Sequence, residues 1–570
     1  MRSFRSDTSL ARWLIPGALL AAACSGTATT GPLDASTAVD AVTPTDQPAL
    51  PDVPVTPTDA VTPTDRATPP SDVVTPTDGG TPPGAPTAVT TFQFDLARTG
   101  ANRTETRLTP DAVRAGFGRD TAFNVNFDGL VYAQPLYLPG VMTAQGRKDL
   151  LYVMTQANTA AAIDASTGAF VWTTPLGTPV PRSTQSCGNI TNTTGILGTP
   201  VIDPATNTLY AVSFVRDGSN NVWRSNALDV ASGQQRPNYP ADITATAGGF
   251  TLDGRTTQER GALAFHNGRV LVPFGGLYGD CGMYHGWVVS IDAANPSQQT
   301  AFVTPGRGSG IWAPGGMSLD EMGRVYVATG NSTPLGGHTP GSYGEYVIRL
   351  GAGALAFDAS DTGAWFSPSN ARGLDLADLD IGSVAPMLLP RATGGRRIVI
   401  QGGKAGVVHA LDGDALGGVG TGDGTLREGL ASARLFSGGI FGANAAFRDG
   451  ARTLAFIAGR GRSSCTITNG GVMAVTVPDD GSALMTAWCT ANIANPSPPA
   501  VSSNGDRDAI LWVTGVNSPL YAYSVADGTL IWQSSGAENP SAVRQWTPVV
   551  VADGRVFVTG QATISMYRLR

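Results

Sequence analysis

Three acidic side chains in one short run are the first candidates for chemistry in this chain. Asp375, Asp378 and Asp380 stand close together ahead of Gly382. Carboxylate oxygens in such a run are suitable ligands for Ca²⁺, a hard cation that prefers oxygen. The run lacks the further ligand and the distal Glu of a helix–loop–helix calcium site, so a polar turn is the favoured interpretation. We expect no metal site here, and Asp378 and Asp380 are the residues that would form one.

Histidine and cysteine offer few further combinations. His285 adjoins Cys281, Tyr284 and Trp287 in the segment GDCGMYHGW. A hydrolase would also need a serine in a nucleophile elbow, and the chain contains no GxSxG turn. The other histidines are isolated in the sequence: His266, His338 and His409. His285 is therefore considered as a possible ligand contact and not as part of a catalytic triad.

The N-terminus predicts export and lipid attachment. Arginines precede a short apolar run, WLIPGALLAAA, which ends immediately before Cys24. This run is too short to span a bilayer comfortably, so residues 1–24 are predicted to be a signal peptide. The segment LLAAAC resembles the lipobox of bacterial lipoproteins, although Ala21 stands where that family usually has Leu. The resemblance implies lipidation of Cys24 and a protein anchored in the bacterial envelope, most plausibly in the outer membrane, at its periplasmic face or the cell surface.

Residues 25–91 have the composition of a spacer. They are rich in Pro, Thr, Ala and Asp, and the unit VTPTD begins at Val42, Val55, Val61 and Val74. Such a chain cannot bury enough apolar surface to offset the entropy lost on ordering. We therefore predict a disordered tether between the anchor and a folded domain at residues 92–570. The net charge of −7 disfavours nucleic acid as a partner.

The domain at 92–570 contains a repeated pattern. One part is a strand–turn–strand block, such as LAFHNGRVLVPFGG from Leu263 and TPVVVADGRVFVTG from Thr547. Asn-Gly or Asp-Gly between alternating apolar residues indicates a β-hairpin. The second part follows each block, as in AIDASTGAFVW from Ala162 and AYSVADGTLIW from Ala522. Eight paired units predict an all-β, eight-bladed propeller of four-stranded antiparallel blades, because such units must stack to cover their apolar faces.

Tryptophans and the remaining cysteines fit this ring. Three Trp residues fall at Gly-rich strand starts, which run near the axis of a propeller: Trp287, Trp312 and Trp546. They could stack on a sugar ring or a flat ligand, although packing between blades is the favoured interpretation. Besides Cys24, four cysteines remain in an oxidising compartment, and structural disulfides are expected. We expect one disulfide between Cys187 and Cys281 and one between Cys465 and Cys489.

The second repeat part also carries a family resemblance. Ala-x-Asp-x-x-x-Gly-x-x-x-Trp resembles the tryptophan-docking motif of pyrroloquinoline quinone (PQQ) repeats. It is intact at Ala162, Asp164, Gly168 and Trp172, whereas Ser524 replaces the Asp in the copy that begins at Ala522. The resemblance implies the eight-bladed quinoprotein alcohol-dehydrogenase-like fold, within a group of secreted bacterial proteins of unknown function.

Enzymes of that family hold PQQ and Ca²⁺ in an axial funnel, with a vicinal Cys-Cys pair on one quinone face and Trp on the other. This chain has neither the Cys-Cys pair nor their Trp-Asp-x-Asp segment. Lys404, in GGKAGVVHALD, resembles a Lys-x-Gly segment that touches the quinone in some relatives, and Trp312 is the matching aromatic candidate. We therefore predict a monomeric, noncatalytic binding module for a protein or glycan partner, and the alternative is a PQQ-dependent oxidoreductase.

Overall fold

The computed structural model describes residues 87–188, 190–332, 341–543 and 546–570. The predicted signal peptide, Cys24, the tether as far as residue 86, and His338 lie outside the described residues. Export, lipidation and disorder of the tether therefore stay predictions. Neither α-helix in the described part of the chain is long and apolar enough to cross a membrane.

The first elements serve the closure of the ring. Strand β1 is Ala101–Asn102, helix α1 is Pro110–Gly116, and strands β2 and β3 are Phe117–Arg119 and Val125–Asn126. Helix α1 begins where the Thr109 side chain accepts a hydrogen bond from Ala112 N, with proline at the first helical position. None of these elements belongs to blade 1.

Blades 1 and 2 are four-stranded antiparallel sheets. Blade 1 comprises β4 (Leu136–Thr143), β5 (Gly146–Met154), β6 (Thr159–Asp164) and β7 (Phe170–Pro175). A small pair, β8 (Val180–Pro181) with β9 (Thr193–Thr194), precedes blade 2. Blade 2 comprises β10 (Val201–Asp203), β11 (Thr208–Asp217), β12 (Asn220–Asp229) and β13 (Ala241–Asp242).

Blades 3 to 5 continue the ring. A hairpin of β14 (Thr246–Ala247) and β15 (Phe250–Thr251) leads to blade 3, which comprises β16 (Thr257–Gln258), β17 (Ala264–His266), β18 (Arg269–Gly276), β19 (Trp287–Asp292) and β20 (Gln299–Val303). Blade 4 comprises β21 (Ser318–Leu319), β22 (Val325–Ala328), β23 (Val347–Leu350) and β24 (Trp365–Ser367). After α2 (Ala371–Leu376), blade 5 comprises β25 (Met387–Leu388), β26 (Ile398–Gln401), β27 (Val407–Asp412) and β29 (Ala431–Arg434), while β28 (Gly418–Val419) pairs in parallel with β24.

Blades 6 to 8 complete the sequence of sheets. Blade 6 comprises β30 (Ala445–Arg448), β31 (Thr453–Gly459), β32 (Gly471–Val477) and β33 (Met485–Cys489). Blade 7 comprises β34 (Ala500–Asn504), β35 (Arg507–Val513), β36 (Tyr521–Ser524) and β37 (Leu530–Gln533), with β1 added in parallel to β34. Blade 8 comprises β38 (Val550–Ala552), β39 (Arg555–Thr559) and β40 (Thr563–Leu569). Short 3₁₀ turns lie at Arg182–Thr184, Thr362–Ala364, Ile381–Ser383 and Gly536–Glu538.

The last blade takes its fourth strand from the beginning of the domain. Strand β2 pairs antiparallel with β40, with Phe117 opposite Leu569, so the two ends of the ring share one sheet. Closure in this way removes the exposed strand edges that an open stack would present. The prediction of an all-β, eight-bladed propeller is confirmed.

The hairpin turns follow from the residues that the sequence places there. Between β17 and β18, Asn267 and Gly268 have φ values of 48° and 72°. Asp553 and Gly554, between β38 and β39, have φ values of 48° and 78°. Two consecutive positive φ values suit the twist of a two-residue hairpin, and Asn, Asp and Gly adopt them at low cost.

Tryptophan joins adjacent blades, as the docking motif predicts. The Trp172 side chain on β7 of blade 1 donates from Nε1 to the carbonyl oxygen of Val230 in blade 2, at 3.0 Å. Trp488 on blade 6 makes the same type of bond to the carbonyl oxygen of Val525 in blade 7, at 3.1 Å. A Cβ on Gly233 would lie only 2.4 Å from the Trp172 ring, so the indole needs the glycine turn beneath it.

Residues 87–105, which we call the strap, run around the inside of the ring and contact every blade. Backbone hydrogen bonds join the strap to one residue in the inner strand of each of blades 1, 2, 4, 5, 6 and 7. In that order, these residues are Tyr137, Ile202, Leu319, Leu388, Ala446 and Val501. The Arg98 side chain reaches Leu263 O at blade 3, and Asn102 Nδ2 reaches Val551 O at blade 8. The chain therefore packs on the blades from Thr87, slightly ahead of the predicted boundary at Phe92.

Two strap side chains fill the axis. Phe92 is buried in a cluster with Ala262 and Ala443, from the segments that lead into blades 3 and 6. Arg98 is 1% exposed and donates to Met317 O at 2.7 Å, to Phe92 O at 3.0 Å and to Leu263 O at 3.1 Å. These bonds compensate the burial of its charge.

Candidate functional site: the cluster around Trp312

Two sets of loops gather at one end of the ring. In an antiparallel four-stranded blade, the loop that enters the inner strand and the loop between the second and third strands lie at the same end. We call this end the funnel face. Arg260, Trp312 and Asp380 lie in loops that enter the inner strands of blades 3, 4 and 5, and Lys404 lies in the loop between β26 and β27.

Trp312 is the centre of the site. Its Nε1 donates to Asp380 Oδ2 at 3.2 Å. The Arg260 guanidinium carbon lies 4.7 Å from the centroid of the indole ring, and the Lys404 ammonium lies 5.4 Å from it. Arg260 Nε also donates to the Trp312 carbonyl oxygen at 3.0 Å, which fixes its position. These residues, together with Asp378, form what we call the Trp312 cluster.

Lys404 is held between two carboxylates. Its Nζ lies 2.6 Å from Asp378 Oδ1 and 3.1 Å from Asp380 Oδ2, and its side chain is 18% exposed. Burial by itself lowers the pKa of Lys404, but the charges of Asp380 and Asp378 outweigh that effect and raise it. Lys404 is therefore an ammonium ion at neutral pH. Asp378 is largely exposed, so Asp380 is the stronger of the two partners.

Asp380 is a buried carboxylate, and one of its two oxygens has no hydrogen-bond partner among the described residues. Burial raises its pKa, and Lys404 opposes that rise while Asp378 adds to it. Its Oδ2 accepts from Trp312 and Lys404, whereas its Oδ1 is buried without a hydrogen-bond partner among the described residues. A desolvated carboxylate with a raised pKa and a free oxygen is suited to accept a proton.

Glu345, fully buried beside Asp380, is a site residue that the sequence did not reveal. Its Oε2 accepts from the Ile381 amide at 2.7 Å, and its Oε1 is buried with no partner in the described chain. Burial, and then the charge of Asp380, raise the pKa of Glu345 well above its ordinary value. Lys404 contacts Asp380 directly, so of the two carboxyl groups Asp380 is the one whose ionised form is favoured.

Arg260 is the second residue that sequence reasoning missed. Burial lowers its pKa to about 10, while Asp280, Tyr284 and Asp380 oppose that shift, so it remains a cation at neutral pH. The available signal was positional, because Arg260 occupies the loop before an inner strand, as Trp312 does in the next repeat. Gly330 completes the site, since a Cβ there would lie 2.7 Å from Trp312 Nε1 and displace it.

The structure brings together four of the residues that the sequence singled out: Trp312, Asp378, Asp380 and Lys404. His285 is packed elsewhere in blade 3, with Nδ1 2.9 Å from Thr304 O and its ring 4.0 Å from Phe250. Trp287 is buried in the core between blades 2 and 3.

Trp546 lies on the funnel face and is 37% exposed, and its Cδ1 is 3.6 Å from the position of a Cβ on Gly442. It is not in contact with the Trp312 cluster in the interactions that the described residues show. Asp375 hydrogen-bonds Ser332 and also stands apart from the cluster.

No group of three or more His, Cys, Asp or Glu side chains in the described ranges is arranged to hold a metal ion. The donor set at Trp312 is unsuited to calcium as well, because the Lys404 ammonium already pairs with both Asp378 and Asp380.

Two disulfides form as predicted. Cys187, in the loop between β8 and β9, bonds Cys281, in the loop between β18 and β19 of blade 3, with Cα atoms 6.0 Å apart. Cys465 bonds Cys489 within blade 6, with Cα atoms 6.5 Å apart. The first bond ties down the segment that contains Asp280 and Tyr284, next to Arg260.

Solved structures with the same architecture give the site a context. Quinohemoprotein alcohol dehydrogenase from Comamonas testosteroni superposes with a TM-score of 0.58 at 15% identity, covering 85% of this chain and 80% of the enzyme. Quinohemoprotein alcohol dehydrogenase ADHIIG from Pseudomonas putida HK5 gives 0.57 at 14% identity, with the same coverage. A europium-containing methanol dehydrogenase gives 0.53 at 12% identity, covering 85% of this chain and 98% of the enzyme.

The fold is of the quinoprotein dehydrogenase type. Neither a family model nor a curated protein sequence matches the chain. At 12–15% identity the likeness extends to the arrangement of blades alone, so the chemistry must be argued from the Trp312 cluster itself.

Proposed function

We propose that the protein is a quinone-dependent oxidoreductase that binds PQQ, a planar anionic quinone, at the Trp312 cluster and oxidises an alcohol. The observation that carries this proposal is the convergence of one indole, two cations and one desolvated carboxylate at the funnel face. Likeness of fold to the quinoprotein dehydrogenases supports it further. The alternative of a protein- or glycan-binding module stays a prediction, with no comparable group among the described residues in its favour.

The donor set fits a planar anion. The Trp312 indole is partly exposed, and Arg260 and Lys404 lie over its ring. Both are cations at neutral pH, so they are suited to pair with quinone carboxylates or to donate to quinone oxygens. The residues do not fit a calcium ion, so no step is assigned to a metal.

A bound quinone would supply the chemistry that no side chain here has, the acceptance of a hydride from the alcohol carbon. Asp380 Oδ1 is suited to receive the hydroxyl proton, because it is a buried carboxylate oxygen with no hydrogen-bond partner among the described residues. Lys404 keeps Asp380 ionised, and Trp312 Nε1 fixes its orientation through Oδ2. With such a quinone present to accept the hydride, and Asp380 to accept the proton, the alcohol would leave as a carbonyl compound.

Burial of these charges argues against a surface that serves docking alone. Removing Lys404 and Asp380 from water costs free energy that their mutual attraction only partly returns. Strongly shifted pKa values in one cluster are more typical of sites that bind or transform small molecules. A docking surface would present its charges on exposed loops instead.

The test is a titration of the purified full chain with PQQ. We expect quenching of tryptophan fluorescence at saturation and dye-linked oxidation of a primary alcohol. Lys404→Gln should weaken PQQ binding about 10- to 100-fold, as expected for the loss of one charge-assisted interaction. Lys148→Gln is the matched control, because Lys148 pairs with Asp164 in blade 1, away from the funnel face. Equal PQQ affinity in the Lys404 and Lys148 variants would refute the assignment, as would no PQQ binding at all.

A further inference from the structure

A second cation–aromatic pair lies beside the Trp312 cluster. The Arg460 guanidinium carbon is 4.2 Å from the centroid of the Phe441 ring. Arg460 lies between β31 and β32 and Phe441 lies before β30, so both belong to the funnel face of blade 6. A Cβ on Gly439 would lie 2.4 Å from the Phe441 ring and 3.2 Å from Lys404 Cα. The pair is therefore contiguous with Lys404 and one blade further round the ring.

The charge of Arg460 has no counter-ion in the described part of the chain. No carboxylate lies within 4 Å of its guanidinium there, and its Nε is buried without a hydrogen-bond partner. Arg448 in the same blade, by contrast, lies 2.6 Å from Asp479. Burial lowers the pKa of Arg460, and no nearby charge is found to raise it.

An unpaired cation held in a partly desolvated place is costly, and that cost is recovered when an anion binds. The backbone holds the residue in this position, because Arg460 N donates to Gly439 O at 3.1 Å and Gly438 N donates to Arg460 O at 3.0 Å. Arg460 is thus presented by two loops that are bonded to each other, next to the cluster proposed to carry out oxidation.

We propose that Arg460, with Phe441 and Trp546, is the subsite for a carboxylate group of the substrate. The planar fork of a guanidinium pairs with both oxygens of a carboxylate. Trp546, near Gly442 on the same face and partly exposed, offers an apolar surface for a ring that carries the carboxylate. The substrate class is a ring compound that bears both a carboxylate and an alcohol.

The oxidation part of this inference rests on the proposed function, whereas the carboxylate subsite does not. A carboxylate at Arg460 would direct the opposite end of the molecule towards Asp380. The redox balance is unchanged, since the alcohol still loses its proton to Asp380 and its hydride to the quinone. Arg460 adds a preference for alcohols that also carry a carboxylate group.

The first experiment compares two alcohols that differ by one carboxylate. In the PQQ-loaded protein, kcat/KM for 4-(hydroxymethyl)benzoate should exceed that for benzyl alcohol about 10- to 100-fold. Arg460→Gln should bring the ratio close to one, and Arg460→Lys should retain part of it, because it keeps the charge without the fork. Arg462→Gln is the matched control, since Arg462 is exposed two residues away, and it should keep the ratio. An unchanged ratio in Arg460→Gln overturns the subsite.

The second experiment separates the two proposals. Calorimetric titration of 4-(hydroxymethyl)benzoate into the full chain without PQQ should give binding that is lost in Arg460→Gln and competed by benzoate. If the carboxylate binds in this titration but the PQQ-loaded protein of the first experiment oxidises neither alcohol, the proposed function is refuted and the subsite stands. Oxidation of both alcohols with no carboxylate binding would refute the subsite alone. If Arg460→Gln weakened PQQ binding as much as it changed the substrate ratio, Arg460 would belong to the cofactor site, and the inference would be wrong.

Discussion

Replacement of Arg98 by methionine tests whether the strap holds the ring together. Methionine keeps an unbranched apolar stem in the space but has no donors, so the acceptors that Arg98 now serves lose their partner. These are Met317 O, Thr91 Oγ1, Phe92 O and Leu263 O, at 2.7 to 3.1 Å. The change therefore breaks the strap's bonds to blades 3 and 4 at one position.

The magnitude follows from two opposed effects. Hydrogen bonds from a charged donor contribute about 2 kcal/mol each, which gives about 8 kcal/mol for the four. The cost of burying the guanidinium, which lowers its pKa to about 10 from 12.5, returns about 3 kcal/mol when the charge is removed. We expect Arg98→Met to reduce the free energy of unfolding by about 5 kcal/mol.

The assay is urea unfolding of the full chain, followed by tryptophan fluorescence, with the slope compared between variants. Arg107→Met is the control, because Arg107 is exposed and makes only a 3.5 Å contact with Asp553 O, so its effect should stay below about 0.5 kcal/mol. A loss below about 1 kcal/mol in Arg98→Met would refute the reasoning, because four buried bonds would then be energetically irrelevant.

Three further outcomes are expected. Trp172→Ala should cost about 3–5 kcal/mol in the same unfolding assay, since it removes a large buried ring between blades; a near-unchanged midpoint would contradict the docking role. Burial alone raises the pKa of Asp164, but its hydrogen bond with Lys148 lowers it to about 2, so this pair stabilises the fold above about pH 4 and is lost as the pH falls through 2. Asp164→Asn should therefore flatten the acid side of the stability profile. In alcohol oxidation, Lys404→Gln should move the acid limb to higher pH, because the ammonium lowers the pKa of Asp380; an unmoved limb would mean that Asp380 is not the base.

The ring could be predicted from the sequence because each blade is specified locally. Turn residues such as Asn267 and Gly268 lie between the strands that they connect, and Trp172 lies near its own strand pair. A repeat that is apolar on both faces must stack, so the number of units gave the number of blades. The disulfide partners are likewise predicted from the repeats, because Cys187 and Cys281 belong to neighbouring blades and Cys465 and Cys489 to one blade.

The strap could not be predicted, because its bonds join positions that are far apart in the chain. Asn102 reaches Val551, and the Arg98 guanidinium reaches Met317. No local pattern distinguishes a segment that lines the axis from a linker, since its hydrogen-bond partners are set by the closed ring. For this reason the sequence predicts a tether that extends to residue 91, whereas Val89 already pairs with Tyr137.

The site was predicted in part. The sequence predicts Lys404 by resemblance and Trp312 by its place at a Gly-rich strand start, whereas it presents Asp380 only as part of an acidic run. That these side chains meet depends on loops from different blades turning towards one axis, which spacing along the chain does not show. Arg260 and Glu345 were missed for the same reason, because a lone Arg or Glu in a loop has no signature of its own.

The path of the strap sets an order in which contacts can form while the chain is being synthesised. Residues 87–105 are synthesised before every strand that they will bind, and Asn102 can bond Val551 only after a ribosome has added 449 further residues. Until then the ring of the nascent chain stays open, and the strap lacks its partner in blade 8. A product cut short before β40 would lack the partner of β2, so the ring would stay open and accessible to proteases.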